Sequence, residues 1–270
     1  MCEKYIIRLL ENIRKGFKMI ATKLAEKSNY LNKAISYLKN VTIQEYDIKS
    51  AGFTVIKSLK LLPEKKILYL EALPKEKRNI KIGLEMKKNS DLIKAVNEGL
   101  ERIRVEFIKR NNIPENAILS IKKDAIFLIN QNPEHLIIDE FEFRPKNRYT
   151  SYIYLSGKEF YYDSVSKILD VKGLSSESKE LGKNYILRDI GKILELGEKL
   201  DREKLFTYLK KYRSDYLSRK LNYENYRELD SEMFRVGSHL LTEISDDMIS
   251  FIDISQNYIN YILKIFNCIL

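Results

Sequence analysis

Apolar positions in the first part of the chain follow helical spacing, then extended spacing, then helical spacing again. Residues 3–40 carry apolar side chains three and four positions apart, which predicts one or two amino-terminal helices. The stretch VTIQEYDIKSAGFTVI is rich in β-branched and aromatic residues. It predicts a strand that runs through Tyr46 and Asp47 to a turn at Gly52. Residues 76–111 return to the spacing of a long helix.

The rest of the chain is predicted to contain a hairpin, further strands and a helical end. The apolar stripe of the long helix is expected to contain Ile93, Val96, Leu100, Ile103 and Phe107. Two apolar stretches, AILSI and AIFLI, predict a hairpin over residues 120–129 with Asp124 at its tip. We expect residues 42–155 to form one antiparallel sheet and the chain from about residue 186 onward to be helical.

This order of elements predicts an α+β fold. Residues 1–40 are expected to form amino-terminal helices. Residues 41–180 are expected to form an α+β domain in which an antiparallel sheet is flanked by short helices. Residues 181–270 are expected to form a helical domain.

The charge of the chain narrows the choice of partner. Lysine and arginine number 48 against 38 acidic residues, so the 270-residue chain has a formal net charge of +10. Such a surplus favours nucleic acid or an anionic membrane as partner, although a lysine-rich composition typical of AT-rich genomes would also explain it. No apolar run reaches the roughly 18 residues of a membrane span. Nucleic acid is therefore the expected partner, and no membrane is expected.

Cysteine and histidine are too few and too scattered for several common kinds of site. Cys2 and Cys268 lie at opposite ends of the chain, and His135 and His239 are isolated. A zinc centre or a Ser-His-Asp triad is therefore not expected. Two cysteines do not make a disulfide scaffold, so the cytoplasm is the expected location.

Two aspartates stand where apolar strands break, which makes them candidates for chemistry. Asp47 ends the stretch IQEYD, and Asp124 lies between two apolar strands. A carboxylate in such a setting costs desolvation free energy unless it gains a cation or hydrogen bonds. Two carboxylates from separate strands are the minimal ligand set for the Mg²⁺ ions of phosphoryl transfer. The alternative is that both residues only terminate strands or cap turns.

Short motifs over about residues 44–175 resemble, in order, the palm domain of family B DNA polymerases. DIKS at 47–50 matches the first palm motif, an aspartate followed after two residues by serine. KKDAIF at 122–127 resembles the third motif, Asp-Thr-Asp-Ser-Val-Phe, and VNEGLERIRVEFIKRNN resembles the helix before it. KNRY at 146–149 is similar to the family's Lys-Lys-Arg-Tyr element, and DVKG at 170–173 to its Asp-x-Lys-Gly segment.

The resemblance implies a minimal polymerase-like palm followed by a helical thumb-like region. It implies Mg²⁺ or Mn²⁺ as cofactor, held by Asp47 and Asp124, a nucleoside triphosphate as substrate, and primed or single-stranded DNA as partner. The residues implied to bind the nucleotide are Ser50, Gly52, Arg78 and Lys81. Those implied to bind nucleic acid are Lys146, Arg148, Tyr149 and Lys172. A solvated helix face is the alternative explanation for the two cations in KEKRNIKIG.

The chain also departs from the family's pattern. Lys122 replaces the first aspartate of the third motif, and an ammonium roughly 4 Å from Mg²⁺ would oppose its binding by several kcal/mol at an effective dielectric of about 20. The lysine could instead point away or contact a phosphate. Gly52 replaces the tyrosine that excludes ribonucleotides, and the second motif is not intact. Neither an exonuclease domain nor more than short fingers is expected, and a second protein chain could supply missing parts.

Cations alternate with tyrosines in the carboxy-terminal third. The principal cations for binding nucleic acid are Lys210, Lys211 and Arg213. The interleaved tyrosines are Tyr208, Tyr212, Tyr216, Tyr223 and Tyr226. Cations that contact phosphates and rings that stack on bases are typical of a surface that binds a single strand. The alternative is a solvated helix with its tyrosines packed inward.

Three functions are consistent with these observations. The first is a template-directed, Mg²⁺-dependent nucleotidyltransferase that synthesises DNA. The second is a catalytically inactive palm that serves as a DNA-binding or replisome scaffold subunit. The third is a virion or other structural protein unrelated to polymerases. A phage or a mobile element is an expected source of such a chain.

Overall fold

The computed structural model describes residues 22–174, 186–226, 234–236, 239–241 and 258–269. Within these ranges it contains helices and antiparallel sheets, which confirms the α+β class. No helix in the described ranges combines the length and the apolar composition needed to cross a lipid bilayer.

The described elements alternate as the apolar pattern indicates. The strands are β1 Asn29–Leu31, β2 Tyr37–Leu38, β3 Ile43–Ile48, β4 Ile118–Lys122, β5 Ala125–Ile129, β6 Ile137–Ile138, β7 Phe141–Tyr149, β8 Ser151–Leu155, β9 Lys158–Asp163, β10 Ile168–Lys172, β11 Phe234–Val236 and β12 His239–Leu241. The α-helices are α1 Ala51–Ser58, α2 Glu64–Glu71, α3 Lys75–Lys88, α4 Ser90–Arg110, α5 Ile186–Lys199, α6 Arg202–Leu217 and α7 Leu263–Ile269. Short 3₁₀ turns cover Glu115–Ala117 and Tyr223–Tyr226, and a π-helical turn covers Tyr258–Ile262.

The chain divides into two compact units. The first comprises Met1–Asn32 and Ile43–Arg148, and the second comprises Lys33–Thr42 and Tyr149–Leu270. The domain boundary predicted near residue 180 lies outside the described residues, so that boundary stays a prediction.

The first unit contains a six-stranded sheet in the order β1-β4-β5-β3-β7-β6. Its centre is formed by β3 and β5, which are antiparallel. Side chains alternate between the two faces of a strand. On β3, Tyr46 and Ile48 therefore pack into the helical core, whereas Glu45 and Asp47 belong to the opposite face.

Helix α4 covers the core face of that sheet with a stripe at the predicted spacing. Asn89 caps the helix, because its side-chain oxygen accepts hydrogen bonds from the main-chain N–H groups of Asp91 and Leu92. The buried stripe consists of Leu92, Val96, Gly99, Leu100, Ile103, Arg104, Phe107 and Ile108. The ring of Phe107 stacks on Phe143 of β7, with 3.9 Å between the ring centroids. Ile93, which was expected in the stripe, is 38% exposed.

The second unit contains a four-stranded sheet in the order β10-β9-β8-β2. Apolar residues of this sheet, including Ile153 and Phe160, share one core with Ile190 and Leu194 of α5. Helix α6 adds Leu209 and several tyrosines to the same core. A separate two-stranded hairpin is formed by β11 and β12.

Several expectations about local structure were wrong. Residues 22–25 are helical, but β1 and β2 lie within the segment predicted as helices, and residues 1–21 lie outside the described residues. Residues 42–155 contribute to two sheets, because β8 pairs with β9 and β2. Gly52 lies in α1 and not in a turn, and β11 and β12 interrupt the predicted helical end. Strands of two or three residues are too short to show a periodicity of their own.

Candidate active site

The strand pairing of the first unit brings Asp47 and Asp124 side by side. Asp47 lies opposite Ala125, the residue that follows Asp124. The main-chain N–H of Ile48 donates a hydrogen bond of 3.0 Å to the carbonyl oxygen of Asp124. Asp124 lies in the two-residue turn between β4 and β5, where Lys122 pairs with Ala125. The predicted hairpin with Asp124 at its tip is therefore confirmed.

The register also decides the direction of Lys122. Residues directly opposite each other in neighbouring strands point to the same face of a sheet. Asp47, Ala125 and Lys122 form one such row across β3, β5 and β4. Lys122 therefore points to the same face of the sheet as Asp47. In a second row, Glu45 lies opposite Phe127, which places a third carboxylate on the face that carries Asp47.

Glu45 is a buried carboxylate that the sequence analysis missed. Its side chain is 2% exposed. One carboxylate oxygen accepts a 2.7 Å hydrogen bond from the side-chain amide of Asn147, and the other lies 3.8 Å from the Nζ of Lys146. These partners offset the cost of burying the charge. Lys146, which the resemblance assigned to nucleic acid, thus lies beside the carboxylates in this structure.

The carboxylates raise the proton affinity of Asp47. Burial raises the pKa of Asp47 above its ordinary value, and the negative charges of Asp124 and Glu45 raise it further. Lys146 and Lys75 act in the opposite direction, because their positive charges favour the ionised carboxylate. Asp47 therefore lies where negative charge is crowded and only partly neutralised by the protein.

This crowding fits a divalent cation. A hard cation such as Mg²⁺ prefers carboxylate oxygens and keeps several water molecules or substrate phosphates as its other ligands. In the part of the chain that the structure describes, no group of three or more His, Cys, Asp or Glu is arranged to hold a metal ion. A cation at this place would therefore take Asp47 and Asp124 as its protein ligands and complete its coordination with water or phosphate.

Arg78 of α3 contacts Ser50, the serine of the first motif. The Nη2 of Arg78 donates a 3.2 Å hydrogen bond to the hydroxyl of Ser50. Its guanidinium lies over the ring of Phe53, 4.7 Å from the ring centroid. Ser50 is the N-cap of α1 and has a left-handed φ of 50°, a conformation that costs free energy in residues other than glycine. Strain of this kind is often retained at functional sites.

The guanidinium of Arg78 has an unused donor at the edge of a cavity. Among the residues that the structure describes, none accepts a hydrogen bond from its buried Nε. The cavity has a volume of about 530 Å³. It is lined by Lys49, Ser50, Phe53, Thr54, Lys57, Ser58, Arg78, Glu140 and Glu142. Its size falls within the range of roughly 300–1,000 Å³ that is typical of small-molecule sites.

The two other predicted nucleotide-binding residues lie apart from this lining. Lys81 is exposed on α3, one turn beyond Arg78. Gly52 lies in the first turn of α1. Apart from its chain neighbours and the backbone of its own helix, no described heavy atom lies within 4 Å of the position that a Cβ would take there. Gly52 thus leaves open space where the resemblance expects a tyrosine, and its role beside the sugar of a nucleotide stays a prediction.

The remaining residues of the KNRY and DVKG motifs differ in accessibility. Arg148 is exposed at the end of β7. Tyr149 is 3% exposed, and its hydroxyl donates to Asp170 at 2.9 Å. Lys172 lies 2.7 Å from the same carboxylate of Asp170. In this structure the buried ring of Tyr149 is therefore inaccessible to the bases of a nucleic acid. Its hydroxyl stabilises the second unit through the bond to Asp170.

On α6 the cations are exposed and the tyrosines point inward. Tyr212, Tyr216 and Tyr226 are buried in the core of the second unit, and Tyr208 packs against it. Lys210 and Lys211 are exposed, and Lys211 pairs with Asp215 at 2.6 Å. Arg213 donates to the hydroxyl of Tyr258 at 2.8 Å and lies over its ring. The alternative explanation, a solvated helix with its tyrosines packed inward, therefore fits these four tyrosines. The side chain of Tyr223 lies outside the described part of the structure.

Glu45, Lys75 and Phe53 are parts of this site that the sequence analysis did not select. A signal was present for Glu45, because it stands two positions before Asp47 in an apolar strand and so shares its face. Lys75 and Phe53 carried no such signal, since their approach to the site depends on how α1 and α3 pack on the sheet.

Comparison with known proteins gives a family for the chain. No curated protein matches it. Residues 19–270 match the protein family described as Bacteriophage PBS1 gene 130 protein, which covers nearly the whole chain. The match agrees with the expected phage source. The chain therefore belongs to the Bacteriophage PBS1 gene 130 protein family.

Proposed function

We propose that this chain is a metal-dependent nucleotidyltransferase that extends a nucleic-acid primer on a template. The observation that carries the proposal is the position of Asp47 beside the turn that bears Asp124, at one end of the β3–β5 ladder, where burial and then the charge of Asp124 raise the pKa of Asp47. Crowded carboxylates of this kind have a functional use as ligands of a cation. The order of the motifs around them, which resembles the family B palm, supports the same assignment.

The metal would be Mg²⁺ or Mn²⁺, and it would supply neutralisation of the charge that develops on the phosphates and on the primer oxygen. Asp47 and Asp124 would hold it. Lys146 and Lys75 partly neutralise the carboxylates when no cation is bound, because both lower the pKa of Asp47. Glu45 is held by Asn147 and contributes negative charge next to Asp47.

Arg78 would bind the phosphates of the nucleoside triphosphate. Its Nε is buried without an acceptor among the described residues, and its guanidinium is held in place by Ser50 and Phe53. A guanidinium that lines a cavity is suited to a charge-assisted bond with a phosphate oxygen. Lys49 and Lys57 line the same cavity, but their charges are partly neutralised, because Lys49 pairs with Glu142 of the lining and Lys57 pairs with Glu71.

A second candidate function is an inactive palm that binds DNA as a scaffold subunit. The observation that favours it is the row that places Lys122 on the same face as Asp47, in the motif position where the resemblance expects an aspartate. An ammonium there would substitute for part of the charge of a metal ion. In either role the proposed partner is primed or single-stranded DNA, and a second chain could supply fingers.

Primer extension by the full chain separates the two proposals. A labelled primer on a DNA template is incubated with Mg²⁺ or Mn²⁺ and either deoxyribonucleotides or ribonucleotides. We expect extension by the wild type and a loss of at least about 100-fold in Asp47→Asn and Asp124→Asn, the scale on which removal of one charge-stabilising group acts. DNA binding by these variants should stay close to wild type.

Asp139→Asn is the matched control, because Asp139 is an exposed aspartate of the first unit that pairs with Arg110. This variant should extend primers normally. If the wild type binds DNA but extends no primer in either metal, the scaffold function is favoured. Extension that survives both Asp47→Asn and Asp124→Asn would show that the catalytic carboxylates are assigned wrongly.

A further inference from the structure

Helix α4 places a charged side chain in the middle of its buried stripe. Arg104 is 1% exposed and stands between Leu100 and Phe107, both of which are in the core. Burying a guanidinium is costly unless its donors are satisfied. An arginine at such a position therefore requires specific partners.

The partners of Arg104 are three main-chain carbonyl groups. Its Nε donates to the carbonyl of Ala25 at 3.1 Å, and its Nη2 donates to the carbonyl of Lys27 at 3.2 Å. Its Nη1 donates to the carbonyl of Lys123. The guanidinium thus joins the segment before β1 to the turn between β4 and β5.

The carbonyl of Lys123 belongs to the peptide group that leads into Asp124. Lys123 has a φ of 52°, which lies in the left-handed region and is unfavourable for a residue with a side chain. Its main-chain N–H donates to the carbonyl of Ser28 at 2.8 Å. On the other side of the turn, the carbonyl of Asp124 accepts from Ile48. The peptide groups on both sides of Asp124 are therefore held by contacts from other segments.

We propose that Arg104 is a positioning residue for Asp124: it holds the Lys123–Asp124 peptide group so that the Asp124 carboxylate stays beside Asp47. A turn with a left-handed lysine can relax by rotating this peptide group, which would move the aspartate. The bond from Arg104 to the Lys123 carbonyl opposes that rotation. Burial lowers the pKa of Arg104, whereas the negative charges of Glu101 and Asp124 act in the opposite direction and favour its charged form. The metal-related part of this inference rests on the proposed function.

The inference is tested on the full chain with Arg104→Met and Arg104→Lys. Leu92→Ala is the matched control, because Leu92 is buried on the same helix about 18 Å away along its axis and contributes only to the core. Two quantities are measured in each folded variant. One is the hydrogen-exchange rate of the Ile48 amide, relative to other slow amides of the sheet. The other is the affinity for Mn²⁺.

In Arg104→Met we expect faster exchange of the Ile48 amide than of its neighbours, and a fall in Mn²⁺ affinity of about 10–100-fold, as for other groups that orient metal ligands. Arg104→Lys should recover part of the slow Ile48 exchange and part of the Mn²⁺ affinity. If Arg104→Met does not fold, Arg104→Lys is the variant that tests the inference. In Leu92→Ala the slow amides should accelerate together, and Mn²⁺ affinity should stay within about twofold of wild type.

Unchanged exchange of Ile48 in a folded Arg104 variant would overturn the inference. So would an Mn²⁺ affinity equal to that of wild type. If wild-type protein shows no Mn²⁺ binding that depends on Asp47, the proposed function fails instead. The Ile48 amide then still decides whether Arg104 holds the Asp124 turn.

Discussion

The main-chain N–H of Ile48 donates to the carbonyl oxygen of Asp124 over 3.0 Å. This bond closes the β3–β5 ladder at the end where the hairpin turns, so that Asp47 and Asp124 lie on adjacent segments. Two ionised carboxylates so placed repel each other, and the repulsion adds to the burial that raises the pKa of Asp47. The crowded carboxylates therefore cost stability, and under the proposed function a bound cation would offset this cost.

Asp47→Asn should stabilise the protein at neutral pH. Because the folded-state pKa of Asp47 is raised, ionisation disfavours the folded state. This penalty is absent below the ordinary pKa of 3.8, grows as pH rises from that value to the raised pKa, and is constant above it. Thermal unfolding should therefore give a higher Tm for the variant at pH 7 and nearly equal values below pH 3.8.

Glu98→Gln serves as the control for this prediction, since Glu98 is exposed and pairs weakly with Lys94 on α4. It should show no gain at neutral pH. Mn²⁺ should raise the Tm of wild type more than that of Asp47→Asn. A Tm of Asp47→Asn that is lower than wild type at pH 7 would contradict the assignment of the pKa shift to repulsion and burial.

Arg78→Gln should weaken nucleotide binding, whereas Lys81→Gln should not. Arg78 lines the cavity and keeps an unused donor, but Lys81 is exposed one turn away. Loss of a charge-assisted bond costs about 1.5–3 kcal/mol, which corresponds to roughly a tenfold or greater rise in KM for the nucleotide. The measurement is steady-state primer extension over a range of nucleotide concentrations. Equal effects of the two substitutions would mean that both act only through surface charge.

Gly52 should permit ribonucleotides, as its position in the first motif implies. Apart from its chain neighbours and the backbone of its own helix, no described heavy atom lies within 4 Å of a Cβ built at Gly52, so a side chain there meets no clash at its first atom. We expect Gly52→Tyr to lower ribonucleotide incorporation by about tenfold relative to deoxyribonucleotide incorporation, the scale of steric discrimination. Gly52→Ala should change this ratio little. Competition assays with both nucleotide sets measure it, and no difference between the two variants would contradict the prediction.

Binding of the full chain to single-stranded DNA should weaken as salt rises. The formal charge of +10 and the exposed Lys210 and Lys211 on α6 provide the cations. Each phosphate contact contributes about 0.7 to the slope of log affinity against log salt for a single strand. Lys210→Gln should lower the slope by about that amount. Lys211→Gln should lower it less, because Asp215 already pairs with Lys211.

Fluorescence anisotropy with a labelled oligonucleotide at several salt concentrations measures this slope. Since the rings of Tyr212, Tyr216 and Tyr226 are buried, they should make no stacking contribution to this binding. Binding that is absent at low salt, or that is insensitive to salt, would rule out the nucleic-acid assignment.

Gly99→Ala should destabilise the first unit. A Cβ at Gly99 of α4 would lie 2.5 Å from the Cγ1 of Val55, a buried β-branched side chain on α1. Overpacking of this kind costs about 1–3 kcal/mol. Gly83→Ala is the control, because a Cβ there meets no described atom within 4 Å outside its chain neighbours and the backbone of its own helix, and alanine favours a helix over glycine by roughly 0.5–1 kcal/mol. Denaturant unfolding should give opposite changes in the free energy of unfolding for the two variants.

Several features were determined by the sequence alone, because they depend on interactions between residues close together in the chain. Spacing of apolar residues predicted the long helix that became α4. The two apolar runs around KKD predicted the hairpin and the position of Asp124 in its turn. The strand ending near Asp47 was also predicted. In each case the periodicity of one short segment carries the information.

Tertiary structure decided which of these residues meet. The register that places Asp47 beside Asp124 depends on pairing between distant strands, and the same pairing adds Glu45 and Lys122 to that face. The burial of Arg104 could not be predicted from the sequence either, because its acceptors are main-chain carbonyl groups, which every residue has. Whether the tyrosines of α6 face bases or the core depends on which side of the helix is covered. The amino-acid composition of α6 is the same in both cases, and only the packing of the helix against the core distinguishes them.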